Sequence, residues 1–317
     1  MQPTIPSMEI QKSFERRWVL PTIKGTGDFL DQNIHVLFPA PLLITLFLLI
    51  IFPLIYTVYL SFHTWGLSSN QKPYFILLSN YLQIFSRDPR FWHSVLITIY
   101  FSFVSVGIEI FLGTGIALIL NRNLLGIKII RGIFILPMAA TPAAICLIWT
   151  MMFNPEMGLI NYFLKLFHLP TLTWLGHPNW AMPAIIMVDV WMFTPFVVLI
   201  VLAGLHALPK QPYEAAMVDG ATPGQTLWYL TLPFLKPTII VALIFRLVQA
   251  LKTFDIIFIM TEGGPNMATE TLNLYTFKRM FMYYHGGYSS ALALILLSIV
   301  LLINILLIRL RRRDWSF

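Results

Sequence analysis

Six long, nearly uninterrupted apolar runs decide what this chain can become. They lie at about 36–62, 93–120, 129–153, 180–206, 238–260 and 288–308. A helix rises about 1.5 Å per residue and the hydrocarbon layer of a bilayer is about 30 Å thick, so each run is long enough to cross once. Continuous runs argue against a membrane barrel, whose strands alternate apolar and polar residues. The predicted fold class is therefore an all-α membrane protein with six transmembrane helices. Several runs contain proline, which bilayer helices tolerate where neighbouring helices satisfy the freed backbone groups. A composition 57% hydrophobic and only 11% charged agrees with a multi-pass chain.

Lys and Arg set the orientation. With the N-terminus inside, thirteen fall on cytoplasmic segments, among them Lys12, Arg122, Lys210, Lys236 and Arg309. Six fall outside: Lys72, Arg87, Arg90, Lys165, Lys278 and Arg279. Both termini are thus expected in the cytoplasm. The net charge of +7 is a topology signal rather than a nucleic-acid footprint, and no nucleic-acid partner is expected. The run from Arg309 to Arg313 suits the anionic lipid of the inner leaflet. Residues 1–34 lack a signal-peptide core and read as a cytoplasmic tail, 35–310 as the transmembrane domain, and 311–317 as a basic cytoplasmic C-terminus. Cys146, the one cysteine, lies in an apolar run and reads as a buried structural thiol.

Enzyme signatures are missing. There is no G-x-x-x-x-G-K-[ST] phosphate loop, no H-E-x-x-H or H-x-x-x-H pair and no G-x-S-x-G elbow. No catalytic residue, metal site or cofactor is expected in this chain.

The polar connection between the fourth and fifth runs, EAAMVDGATPGQTLWYLTLPFLKP from Glu214 to Pro237, lies on the cytoplasmic side. Its chemistry predicts a helix, a hinge and a second helix. Pro212 suits a first helical turn, Glu214 complements the N-terminal dipole, and Ala215 and Ala216 are strong helix formers. Gly220 supplies the permissive backbone past the helix end. Thr222 can cap and Pro223 can open the second helix, which Pro233 is expected to limit. Tyr213, Met217 and Trp228 are large apolar groups that a merely solvated loop does not need, so a docking site for a cytoplasmic subunit fits better.

Glu214-Ala215-Ala216, three residues, Gly220, nine residues, then Leu230-x-Leu232-Pro233 resembles the signature loop of permease subunits of binding-protein-dependent ABC importers, with Leu230 where isoleucine is usual. FPLIYTVYLSF in the first run, Asn80-Tyr81, GLIN at Gly158, AGLHALP before the loop, and the T-x-G-G-P core at Thr261, Gly263, Gly264 and Pro265 are similar to the carbohydrate-uptake, maltose-type branch. The resemblance implies a cytoplasmic coupling-helix loop between helices 4 and 5, at 208–237, seated in an ATPase subunit. Its ATPase-coupling residues are then Glu214, Ala215, Ala216, Asp219, Gly220 and Pro233. It further implies a homologous second permease as heterodimer partner, two ATPase subunits carrying ATP and Mg, and an extracytoplasmic solute-binding protein. The substrate is a sugar or related polyhydroxylated solute, and the location the bacterial cytoplasmic (inner) membrane.

Ionisable groups inside spans are costly and default to functional hypotheses. Arg246, Gln249, Lys252 and Asp255 in the fifth run are the substrate or gate candidates. Steps of three residues sweep the four around about half the helix, so they cannot all face one cavity. Lys252 and Asp255, at i and i+3, are expected to pair with each other. Glu109 and Asp189 read as structural partners for Arg246 or Lys252 across the bundle. The alternative, a secondary transporter or channel driven by an ion gradient, accounts for the intramembrane charges. It leaves the signature loop without a purpose, and six spans show no inverted repeat.

Overall fold

In the computed structural model the described residues are 38–66, 72–121 and 126–313. The tail expected at 1–34 and the last part of the basic C-terminus, 314–317, lie outside them. By contacts the chain divides into two units, Met1–Tyr56 and Thr57–Phe317. Among the described residues five helices are long and apolar enough to cross a membrane: α1 (Ala40–Ser61), α3 (Pro89–Leu120), α7 (Pro178–His206), α9 (Pro223–Leu251) and α12 (Gly286–Arg313). A two-residue antiparallel hairpin, β1 (His63–Thr64) with β2 (Tyr74–Phe75), and the short α2 (Ser79–Arg87) connect α1 to α3.

The third expected run does not form one straight helix. It divides into α4 (Ile127–Ala139) and α5 (Pro142–Met152), bent by 95°, and only if that pair counts as one span does the number reach six. Pro142 is the cause. A residue before proline is driven out of helical geometry, and Thr141 is extended, with ψ 132°. After α5 the chain forms α6 (Leu159–Leu166). There buried Asn161 donates to the carbonyls of Pro155 and Leu172 and accepts from the Leu172 N–H and the Trp174 indole, tying the 155–174 loop to a single amide.

The fifth run is shifted and broken. Rather than ending a second loop helix at Pro233, the chain continues from Pro223 to Leu251 as α9, and that boundary is corrected. A π turn at Leu227–Thr231 precedes the proline, with the Leu232 N–H reaching the Leu227 carbonyl, so the ladder is already offset where Pro233 has no donor. The same device precedes Pro53 in α1, at Phe47–Ile51. At the other end the N–H groups of Lys252 and Thr253 turn back onto Gln249 and Ala250, closing α9, and Asn273 donates to the Lys252 carbonyl at 2.7 Å. α10 (Asp255–Thr261) then restarts the chain, followed by α11 (Leu272–Phe277) and a π turn at Lys278–Met282.

The interior is built around α3 and α7, with α9 against both. Gly113 is required where α3 meets α7, because a Cβ there would sit 2.6 Å from Val197 Cγ1. Bilayer lipid is as apolar as leucine, so close small-residue contact and internal polar bonds hold such a bundle together. Cys146 is buried and free, as expected.

The end of α3 opposite Asn121 is clasped by charge. Asp88 caps α3 by accepting from the N–H groups of Arg90 and Phe91, and it accepts the hydroxyls of Tyr275 and Tyr288. Arg90 donates to buried Glu270 through Nε and Nη2, and Lys278 Nζ lies 3.9 Å from the same carboxylate. Burial pushes the Asp88 carboxyl up, but the two phenols, the Phe91 N–H and Arg279 outweigh it and leave its pKa below the usual value. Tyr275 is held at about 12 by burial and by its bond to Asp88, so it remains a donor. A carboxyl lowered on folding contributes stability that is complete above about pH 4 and lost as pH falls through the folded value. Asp88→Asn should therefore melt lower than the native chain at pH 7 and lose less on acidification below pH 4. Melting in detergent from pH 7 to pH 3 checks this, and equal acid sensitivity of the two proteins would contradict it.

Candidate functional site

Two features stand apart from ordinary helix packing, the connection between α7 and α9 and a buried charge cluster.

The connection folds as its residues dictate. α8 (Gln211–Val218) opens with Pro212 in its first turn and carries Glu214 there. Gly220 follows with φ +76°, a left-handed conformation that glycine adopts without penalty. Thr222 and Gln225 then form a reciprocal capping box at the start of α9. Tyr213 donates to Thr231 at 3.2 Å, joining α8 to the π turn. Glu214, Ala215, Asp219, Gly220 and Pro233 are exposed and Ala216 is half-buried. Around them Met217 is 78% exposed, Val218 88% and Tyr229 78%, an apolar surface that the described residues leave uncovered. Beside it opens a cleft of about 1100 Å³ lined by Lys210, Tyr213, Glu214 and Met217 together with Asn121 of the α3 end and His206 of the α7 end. Asn121 and His206 carry no local sequence signal, since only the packing of α3 on α7 brings them there.

The charge cluster joins the three central helices. Arg246 of α9 is fully buried and donates to both oxygens of Glu109 on α3, at 2.5 and 2.6 Å, and to Asp189 Oδ2 on α7 at 3.0 Å. A further N–H reaches Gln249 Oε1 at 3.2 Å, and the guanidinium lies 4.1 Å from the Phe193 ring centroid. Only a planar fork can satisfy this many acceptors at once, which is why lysine is no substitute here. Two carboxylates face one cation. Among the described residues Asp189 Oδ1 has no hydrogen-bond partner in good geometry, and the buried Ser105 hydroxyl is its polar neighbour.

Of the four polar groups expected along the fifth run, the structure brings Arg246 and Gln249 together. Lys252 and Asp255 are exposed, and no ion pair joins them among the described residues. Their expected pairing presumes a continuous helix. Lys252 instead ends α9 and Asp255 enters the first turn of α10, so the i, i+3 relation is lost. Phe193 carries no local sequence signal that ties it to Arg246, because phenylalanine in a membrane helix usually just packs.

The family profile described as binding-protein-dependent transport system inner membrane component matches residues 109–313. The trehalose/maltose transport system permease protein of Thermococcus litoralis is 39% identical over 289 residues, covering 90% of this chain and 96% of that one. The sulfoquinovosyl glycerol transport system permease protein of Agrobacterium fabrum is 36% identical over 285 residues, with coverage of 90% and 92%. A bacterial alginate ABC transporter crystallised with an alginate pentasaccharide-bound periplasmic protein shares the fold, with a TM-score of 0.78 over 91% of this chain and 98% of that one at 21% identity.

Proposed function

This chain belongs to the family of binding-protein-dependent transport system inner membrane components, and on that premise we propose that it moves a sugar or related polyhydroxylated solute by alternating access. It is a membrane-spanning permease subunit of an ABC importer. The observation that carries the solute class is the identity of 36–39% across nine-tenths of the chain to permeases named for trehalose/maltose and for sulfoquinovosyl glycerol, all glycosides.

In this reading ATP and Mg bind to two separate ATPase subunits, a homologous permease completes a heterodimer, and a solute-binding protein delivers the substrate from outside. Both termini and the α8 loop face the cytoplasm. Glu214 pairs with a basic group of the ATPase, Ala215 and Ala216 allow close approach, and Asp219 and Gly220 shape the turn. Pro233 follows the π turn through which α9 leaves the loop. The exposure of Met217, Val218 and Tyr229 supports docking at this surface. Six spans are counted by taking α4 and α5 as one.

Arg246 offers a solute almost nothing, because its donors are engaged by Glu109, Asp189 and Gln249. Its role is to position Gln249. With Oε1 turned to the guanidinium, the Gln249 amide nitrogen is left to donate to a hydroxyl. Lys252 and Asp255 lie at the break after α9 and are assigned to the gate.

Reconstituting the chain with its partner permease, ATPase subunits and binding protein in liposomes tests the whole reading. Uptake of labelled trehalose, maltose or a sulfonated glycoside is expected to require ATP and to survive collapse of the ion gradients. Uptake that follows an ion gradient without ATP would replace it with the secondary-transporter reading.

A further inference from the structure

Near the end of α3 that carries Asp88, a cavity of about 350 Å³ lies between the β1–β2 hairpin, α2 and the start of α12. It is remote from the α8 loop: α3 separates them by 32 residues, about 48 Å of helix. Nothing in the coupling loop or the Arg246 cluster touches it.

Its walls are held in place before anything binds. Asn80 donates to the carbonyls of Ser61 and His63, the Gly287 N–H donates to the Trp65 carbonyl, and the His285 N–H donates to the Arg279 carbonyl. A Cβ at Gly287 would lie 2.0 Å from the His63 carbonyl oxygen, so glycine is what lets α12 approach the hairpin. Arg279 is fixed by donating to the Tyr275 hydroxyl and by stacking 5.1 Å from the Tyr288 ring.

The lining is unusual for what it leaves unused. Thr64, Tyr74, Gln83 and the His285 ring all line the cavity, and none has a side-chain hydrogen-bond partner among the described residues. Trp65 and Tyr74 add aromatic surface. This set discriminates between ligand chemistries. Among the described residues no carboxylate lines the cavity, so a cation finds no counter-charge there. A hydrocarbon would leave four polar groups dry and unpaired. A hydroxylated ring satisfies amide, phenol and imidazole together and lays its C–H face on an aromatic ring. The volume is at the small end of ligand sites and fits one ring with its substituents rather than a chain of sugars. Arg279 on the wall accommodates an acidic substituent.

We propose that this cavity is an accessory binding site for a single sugar ring, neutral or acidic, at the end of the bundle opposite the α8 loop. The choice of sugar rests on the proposed function, while the existence of a polar ligand site rests on the cavity alone.

The test uses the full importer complex in nanodiscs with glucose, trehalose and glucuronate as probes and glycerol as the small-polyol control. Saturation-transfer NMR is expected to mark the ring C–H protons of the sugars. The double variant Gln83→Ala/His285→Ala, which removes two exposed side chains that are unpaired among the described residues, should weaken that binding at least tenfold. Ser298→Ala, about 15 Å further along α12 than Tyr288, should leave it unchanged. An unchanged signal in the double variant, or a signal that requires the solute-binding protein, overturns the proposal; the second result would make the cavity a protein contact. Uptake measured on the same complexes keeps the two readings apart. Sugar uptake without binding that depends on this cavity refutes the accessory site alone, and binding there without uptake of any sugar refutes the transport reading alone.

Discussion

Replacing Arg246 with leucine is expected to destabilise the protein by about 3–5 kcal/mol, because it strands two buried carboxylates without their counter-charge. Glu109 and Asp189 are both fully buried, and among the described residues Arg246 is the ion-pair partner of each. A loss of that size should lower the apparent melting temperature in detergent by at least ~6 °C. Melting within a degree or two of the native protein would show that the carboxylates find other relief. The triple variant Glu109→Leu/Asp189→Leu/Arg246→Leu sharpens the test, since a buried ion cluster replaced by apolar groups of similar volume is often neutral or better. Recovered stability with lost uptake would assign the cluster to transport as well as to packing. If the triple variant stays as unstable as the single one, the cost lies in shape and not in charge.

The second large effect is expected at Gly220. Its φ of +76° is costly for any residue with a Cβ, by about 1–2 kcal/mol, and most so for a β-branched one. No atom lies within 4 Å of where that Cβ would be, so Gly220→Val acts on the backbone without a clash. The expected outcome is ATP-driven uptake reduced at least tenfold, with membrane abundance and ATP hydrolysis retained. Gly220→Asn should restore most of the uptake, because asparagine visits the left-handed region far more readily. Native uptake in Gly220→Val would sink the assignment of α8 as the coupling element.

These two sites differ in how legible they are from sequence. The α8 loop is readable because its determinants act within a few residues: Pro212 on its own turn, Gly220 on its own φ, Thr222 on Gln225. The Arg246 cluster joins partners 137 and 57 residues apart, and sequence alone leaves Lys252 as an equal claimant for the same carboxylates. Helix packing resolves that choice. Proline misleads in both directions. Pro142 breaks a run that hydropathy reads as continuous, while Pro233, expected to stop a helix, is carried through by a π turn. Hydropathy measures whether a segment suits lipid and is blind to where its hydrogen-bond ladder slips. The break at Lys252 is equally hidden, since Asn273, which binds its carbonyl, comes from 21 residues downstream.

The unbroken course of α9 has a mechanical meaning. From Pro223 to Arg246 the rod measures about 34 Å, and from Arg246 to its end at Leu251 about 8 Å. Bonded to α3 and α7 at Arg246, it is a lever pinned near its short end. A tilt about that pin turns a displacement of about 5 Å at the capping box into about 1 Å beyond Gln249, with force gained in the same ratio. Such gearing trades travel for torque, and it places the fulcrum on the three charges that hold the centre of the bundle together.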